Sequence, residues 1–238
     1  MTPYILAEIA AAHIGDTKTC HDLTVAAYKA GADGVKYQIW SLADIKGHKY
    51  FNNMKRFKLD KEQWREITEN AKILGLDVWI ECYSKKTYQF AETLGPDFFK
   101  MPYTLFLNNP TVADTDIPIF WRVQNDLPIY GKHVAIGEQS FPTSWEQARD
   151  ELELLSNFPD CDILYADHQN TYGLTDDYGQ ISLAAHNAGA QYIEKHICMD
   201  REALKKESKD YVSALEPDEF KDYVEFMHSQ NGKLGVIV

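Results

Sequence analysis

Length, composition and charge set the first limits. The chain has 238 residues, 45% of them hydrophobic and 25% charged, which is the composition of a globular protein and excludes disordered and collagen-like classes. It carries 24 lysines and arginines against 36 acidic residues, a formal net charge of −12. A nucleic-acid binder needs a basic surface, and the one Lys-rich stretch, 205–209, is short. No apolar run approaches the ~18 residues of a membrane-spanning helix. We therefore expect neither nucleic acid nor a membrane as partner.

The cysteines indicate the compartment. The four are scattered without a CxxC pair, which is typical of reduced thiols in a cytoplasmic protein: Cys20, Cys82, Cys161 and Cys198.

Short apolar runs alternate with amphipathic stretches along the chain. Runs predicted to be strands lie at 4–9, 34–39, 78–82, 97–101, 133–136, 162–166 and 191–197. Predicted helices lie at 21–30, 60–74, 144–155 and after Pro217, and the third begins with a capping box from Ser144 to Gln147. No linker divides the chain, so we expect a single domain, 1–238. The alternation predicts a parallel sheet, either a barrel or a doubly wound sheet, and the first strand–helix turn lacks the GxGxxG of dinucleotide-binding folds.

Polar residues interrupt several of these apolar runs. They are Glu8, Lys36 with Gln38, Glu81, Lys100, and Glu194 with His196. Strand alternation puts Lys36 and Gln38 on one face, and likewise Glu194 and His196. A charge inside a strand costs several kcal/mol unless it is paired or lies in a wet pocket, so the set indicates either structural ion pairs or a polar site. The two lysines favour an anionic ligand. The other histidines are expected to be surface or capping residues: His13, His21, His48, His186 and His228.

Five motifs in order resemble those of the sialic acid synthase family. Residues 7–16 resemble AEIGxNHxGD, 30–38 resemble AGADxVKxQ, 173–177 resemble GLSDH, 189–196 resemble GAxxIEKH, and 215–220 repeat LEPDEF. The resemblance implies a (β/α)8 barrel that condenses phosphoenolpyruvate with an aldose or N-acetylated aminosugar to give a 2-keto sugar acid. It also implies a homodimer, and this chain is expected to lack the family's C-terminal antifreeze-like domain.

The resemblance also implies site residues. Lys36 and Lys100 match lysines that hold phosphoenolpyruvate, Glu8 matches a glutamate at the acceptor sugar, and Glu194 belongs to the catalytic set. Gln38, Thr175 and Asp210 are expected to bind substrate. A divalent metal, Mn²⁺ or Mg²⁺, would polarise the aldehyde. The family holds it with two histidines; here His196 matches one, Asp177 stands for the other, and Asp167 with His168 offers an alternative pair.

The pattern also departs from the family. KIxSGE reads Lys100 to Leu105 here, without its serine and glutamate; the counterpart of STGM on the fifth strand is expected at 135–138; and the third strand has Glu81 and Tyr83 for Ser/Thr-Pro. Six residues separate 162–166 from 173–175, so we expect the sixth crossover helix to be missing there, and we interpret 117–123 as an extra extended segment.

Two other functions stay open. One is an aldolase or lyase in which Lys100 forms a Schiff base. The other is a non-catalytic barrel that acts as a binding subunit.

Overall fold

Eight parallel strands close into a barrel, each pairing with the next along the chain and β8 pairing with β1. The computed structural model describes residues 2–47, 51–123, 131–137, 141–172 and 179–230. The strands are β1 (Tyr4–Glu8), β2 (Gly34–Ile39), β3 (Asp77–Cys82), β4 (Phe98–Pro102), β5 (Ile119–Arg122), β6 (His133–Ile136), β7 (Asp162–Asp167) and β8 (Tyr192–His196). The predicted (β/α)8 barrel is confirmed.

Helices surround this barrel. Those described are α1 (Thr17–Ala30), α2 (Phe51–Arg56), α3 (Lys61–Leu74), α4 (Lys85–Glu92), α5 (Tyr103–Asn108), α6 (Trp145–Leu155), α7 (Gln180–Asn187), α8 (Arg201–Lys205) and α9 (Pro217–Ser229), with short 3₁₀ helices at Pro110–Ala113 and Lys209–Val212. The capping box predicted for α6 forms, because the Ser144 hydroxyl accepts from the Gln147 N–H and the Gln147 side chain accepts from the Ser144 N–H. No helix in the described ranges is both long enough and apolar enough to cross a membrane.

The short crossover lies elsewhere than the sequence predicts. The predicted extra segment at 117–123 contains β5, so 133–136 is the sixth strand and 162–167 the seventh. The expectation that 135–138 ends the fifth strand is therefore wrong. The prediction that no helix follows 162–166 is also wrong, because α7 joins β7 to β8. Ten residues, 123–132, join β5 to β6, and 124–130 lie outside the described part of the chain.

The barrel interior has an apolar layer below a charged one. At the amino-terminal ends of the strands, Trp79 stacks on Phe98 with ring centroids 4.3 Å apart, inside a cluster that includes Leu6, Phe120 and Leu164. Two residues further along β1 to β5 and β8, the inward side chain of each strand is charged. The apolar layer closes the bottom of the barrel, so the charged layer opens only towards the carboxyl ends of the strands, where (β/α)8 barrels have their active sites.

Candidate active site

Six charged side chains from six strands meet in the upper layer of the barrel. They are Glu8 at the end of β1, Lys36 in β2, Glu81 in β3, Lys100 in β4, Arg122 at the end of β5 and Glu194 in β8. We call these six residues the charged cluster. Side chains alternate between the two faces of a strand, so the inward residues two positions after the apolar layer arrive at one level.

Lys36 lies at the centre of the charged cluster. Its Nζ is 2.5 Å from Glu8 Oε2 and 2.8 Å from one carboxylate oxygen each of Glu81 and Glu194. Lys100 Nζ donates to both oxygens of Glu194, at 3.0 and 2.9 Å. Arg122 Nη1 donates to Glu81 Oε1 at 2.9 Å. Every charge in the cluster therefore touches an opposite charge, which offsets the large cost of burying it.

Two glutamates of the cluster differ in pKa. Burial raises the pKa of Glu8 to about 8, against the opposing effect of Lys36. Burial would also raise the pKa of Glu194, but Lys100 and Lys36 outweigh it and hold that pKa low, at about 2. Glu8 therefore takes up a proton more readily than Glu194 does. The cluster brings together three cations, Lys36, Lys100 and Arg122, and cations suit an anionic ligand.

A cavity of about 330 Å³ lies above the charged cluster. Glu8, Glu81, Arg122 and Glu194 line its floor, and Gln38 lines it nearby. Lys36 and Lys100 are fully buried and contact the lining carboxylates instead of the cavity. Their charges still act on the cavity, because electrostatic interactions are weakly screened in a dry interior.

Two histidines lie side by side at the mouth of the barrel. His168 directly follows β7 and His196 ends β8; their ring centroids are 5.3 Å apart, and Phe141 packs against both. His168 Nδ1 donates to the Gly137 carbonyl at 3.0 Å, the tautomer that leaves the lone pair on Nε2. Burial lowers the pKa of His196 to about 4, so this ring is neutral at pH 7. Neutral imidazoles are ligands for divalent metals.

The metal site is incomplete in the described part of the chain. There, no group of three or more histidine, cysteine, aspartate or glutamate residues is arranged to hold an ion. Asp177 and Thr175 lie outside the described residues, so the predictions for them stay predictions. Asp210 lines the same cavity, and its charge acts on His196.

The structure brings most of the predicted site residues together. Around one cavity or its floor lie Glu8, Lys36, Gln38, Lys100, Glu194, His196 and Asp210. The alternative ligand pair is wrong, because Asp167 points out of the barrel to Lys195 while His168 lines the cavity. Of the expected capping histidines, His13 is buried, and its Nδ1 accepts the Gly15 N–H.

Sequence reasoning missed Arg122 and gave Glu81 no role. Arg122 lies in a strand of only four residues that follows an irregular segment, so periodicity could not place it. The Asp-His pair of the GLSDH motif recurs at Asp167-His168, and this signal could have pointed to His168 as the partner of His196.

The fold and site define a (β/α)8 barrel with a charged cluster under a histidine pair. Residues 138–238 match the model of the NeuB family. The chain is 24% identical to N,N'-diacetyllegionaminic acid synthase of Legionella pneumophila over 99% of this chain and 74% of that protein, and 24% identical to N-acetylneuraminate-9-phosphate synthase of Drosophila melanogaster over 92% and 65%. The crystal structure of N-acetylneuraminic acid synthetase from Leptospira borgpetersenii superposes with a TM-score of 0.79 at 18% identity, over 100% of this chain and 88% of that one. The resemblance seen in the motifs is confirmed: the chain is similar to the sialic and legionaminic acid synthases, at 24% identity, and its residues 138–238 match the NeuB model.

Proposed function

We propose that the chain condenses phosphoenolpyruvate with the open-chain aldehyde of an aldose or N-acetylated aminosugar, consuming one water, to give a 2-keto sugar acid and inorganic phosphate. The observation that carries the proposal is the convergence of Lys36, Lys100 and Arg122 below a cavity whose mouth holds His168 and His196. Relatives named as synthases of sialic, legionaminic and related acids support it. The homodimer implied by the resemblance and the cytoplasmic location indicated by the cysteines belong to the same proposal.

The cations of the cluster would hold the phosphate and carboxylate groups of phosphoenolpyruvate. Arg122 lines the cavity and carries a planar guanidinium that suits both groups. Lys36 and Lys100 add charge from below, through carboxylates that they already contact. Glu81 takes the place of the carboxylate lost from KIxSGE, since it lines the cavity beside the register partner Lys100.

His168 and His196 would hold the divalent metal, Mn²⁺ or Mg²⁺. The adjacent rings and the neutral state of His196 fit this role, and Asp210 and Asp177 would supply carboxylate ligands. When bound, such an ion polarises the acceptor's aldehyde oxygen. The chain's own residues bind the anion, orient it and exclude water from the floor of the barrel.

A Schiff-base mechanism is less well supported. Lys100 Nζ donates to both oxygens of Glu194 and is fully buried beneath the residues that line the cavity, so it does not reach a carbonyl bound there. Borohydride with pyruvate tests this alternative: our proposal predicts no covalent adduct, and an adduct lost in Lys100→Ala would favour the aldolase.

Calorimetry with phosphoenolpyruvate tests the anion site. We expect the wild-type chain to bind it, with Arg122→Gln and Lys36→Met each weakening binding by tenfold or more. Lys221→Met, which removes an exposed lysine of α9, is the matched control and should bind as the wild type does. A wild-type chain without affinity for phosphoenolpyruvate would contradict the proposal and favour the binding subunit.

A further inference from the structure

Four buried polar side chains are linked by hydrogen bonds and an ion pair on the outer face of β7 and β8. Lys195 Nζ lies 3.1 Å from Asp167 Oδ1, the Ser182 hydroxyl donates to Asp167 Oδ2 at 2.5 Å, and the Tyr223 hydroxyl donates to Ser182 Oγ at 2.7 Å. All four residues are fully buried. We call these four residues the Asp167 relay.

The relay lies directly behind the two histidines. Asp167 and Lys195 are register partners in β7 and β8, and each is followed in sequence by a histidine. Because successive side chains point to opposite faces, the ion pair outside the barrel sends His168 and His196 inward. The Asp167–Lys195 ion pair therefore joins the ends of β7 and β8 beside the two histidines. It thereby helps to set the distance between the two imidazole rings.

Two helices hold the relay in place. Ser182 belongs to α7 and Tyr223 to α9, so the carboxylate of Asp167 is fixed from both helices as well as from β8. The Gln169 N–H also donates to Asp167 Oδ1 at 2.8 Å, which ties the carboxylate to the backbone on the far side of His168. A buried ion pair is a weak source of stability compared with apolar packing, so its value here lies in fixing one geometry.

We propose that the Asp167 relay is a positioning device that sets His168 and His196 at the spacing needed to bind a divalent cation. This inference rests on the metal site of the proposed function. Asp167, Lys195, Ser182 and Tyr223 do not touch the ion; they act through the two strand ends. Groups that hydrogen-bond metal ligands directly contribute a factor of 10–100 in metal affinity, and the relay, one residue removed from the ligands, is expected to contribute at the lower end of that range.

The test measures Mn²⁺ affinity by electron paramagnetic resonance and the visible absorption of bound Co²⁺, with melting temperature as a record of folding. We expect Ser182→Ala to weaken Mn²⁺ binding about tenfold and to alter the Co²⁺ spectrum. Ser182→Thr, which keeps the hydroxyl, should restore both. Tyr223→Phe removes a single hydroxyl and gives a second, milder variant if Ser182→Ala does not fold.

Tyr165→Phe is the matched control. Tyr165 is another buried tyrosine facing outward from β7, and its hydroxyl donates to Glu151 Oε2 at 3.0 Å, away from the relay. The Tyr165→Phe variant should lower the melting temperature as Tyr223→Phe does. It should leave the Mn²⁺ affinity and the Co²⁺ spectrum unchanged. Wild-type affinity and spectrum in folded Ser182→Ala and Tyr223→Phe would overturn the relay proposal alone. A wild-type chain that binds no Mn²⁺ would overturn the metal site and the relay with it.

Discussion

At the scale of single residues, Glu81 joins two cations of the charged cluster. It is 2% exposed and accepts from both Lys36 and Arg122. Removing one partner of a buried ion pair leaves the other charge uncompensated, so Glu81→Gln should lower the free energy of unfolding by about 3 kcal/mol in urea titrations. Glu62→Gln, at an exposed ion pair of α3 with Arg65, should cost less than about 1 kcal/mol. Equal losses in the two variants would mean that the cluster is solvated in solution.

His13 gives the chain a dependence on acid. Burial lowers its pKa from the usual 6.5 to about 4, with Asp16 acting weakly in the other direction. Between these values the unfolded chain takes up a proton that the folded chain refuses, so the free energy of unfolding falls as pH falls from 6.5. By pH 4 this group alone should remove about 3 kcal/mol.

His13→Gln tests that linkage. Denaturant titrations from pH 7 to pH 4 should show a shallower loss of stability in His13→Gln than in the wild type. His228→Gln, at a partly exposed histidine of α9, should keep the wild-type slope. If His13→Gln and the wild type lose stability in parallel, His13 is protonated in the folded chain.

Among the elements, the end of β6 approaches β7 closely. Gly137 has φ +97, and a Cβ there would lie 2.3 Å from the Ala166 carbonyl oxygen. Gly75 after α3 has φ +84 but open space around it. Both Gly→Ala changes strain the backbone, so Gly137→Ala should cost about 1–3 kcal/mol more than Gly75→Ala in unfolding free energy. Equal losses of unfolding free energy in the two variants would show that β6 and β7 separate easily. The Gly137 carbonyl would then move away from His168, which contacts it.

The elements also explain how far the sequence could be interpreted. Glu8, Lys36, Lys100 and Glu194 could be predicted because each interrupts a clear apolar run, and alternation alone fixes the face on which it lies. β5 could not be predicted, because a strand of four residues after an irregular segment is too short to show an alternation of apolar and polar residues. That error moved the expected fifth strand to 133–136 and hid Arg122. The sequence favours Gly173 to Asp177 over Asp167-His168 as the counterpart of GLSDH, because more of its residues match the motif. Only the position at which β7 ends shows that His168 lies beside His196.

For the whole molecule, charge is separated between surface and interior. The chain carries a net −12, whereas the charged cluster pairs three cations with three carboxyl groups. A negative exterior slows the approach of an anionic substrate, and salt screens this repulsion. We therefore expect the association rate of phosphoenolpyruvate, measured by stopped flow, to rise between 20 and ~200 mM salt. A rate that falls with salt would place an attractive cationic path at the mouth of the barrel.

The central claim is that this barrel joins phosphoenolpyruvate to a sugar aldehyde. The most direct measurement is phosphate release from phosphoenolpyruvate with Mn²⁺ across a panel of N-acetylated hexosamines and simple aldoses. We predict release that requires one of these acceptors, yields a 2-keto acid in equal amount, and is lost in Lys100→Met and His196→Ala but retained in Lys221→Met. Absence of acceptor-dependent release across the whole panel, from a folded wild-type chain that binds phosphoenolpyruvate, would contradict it.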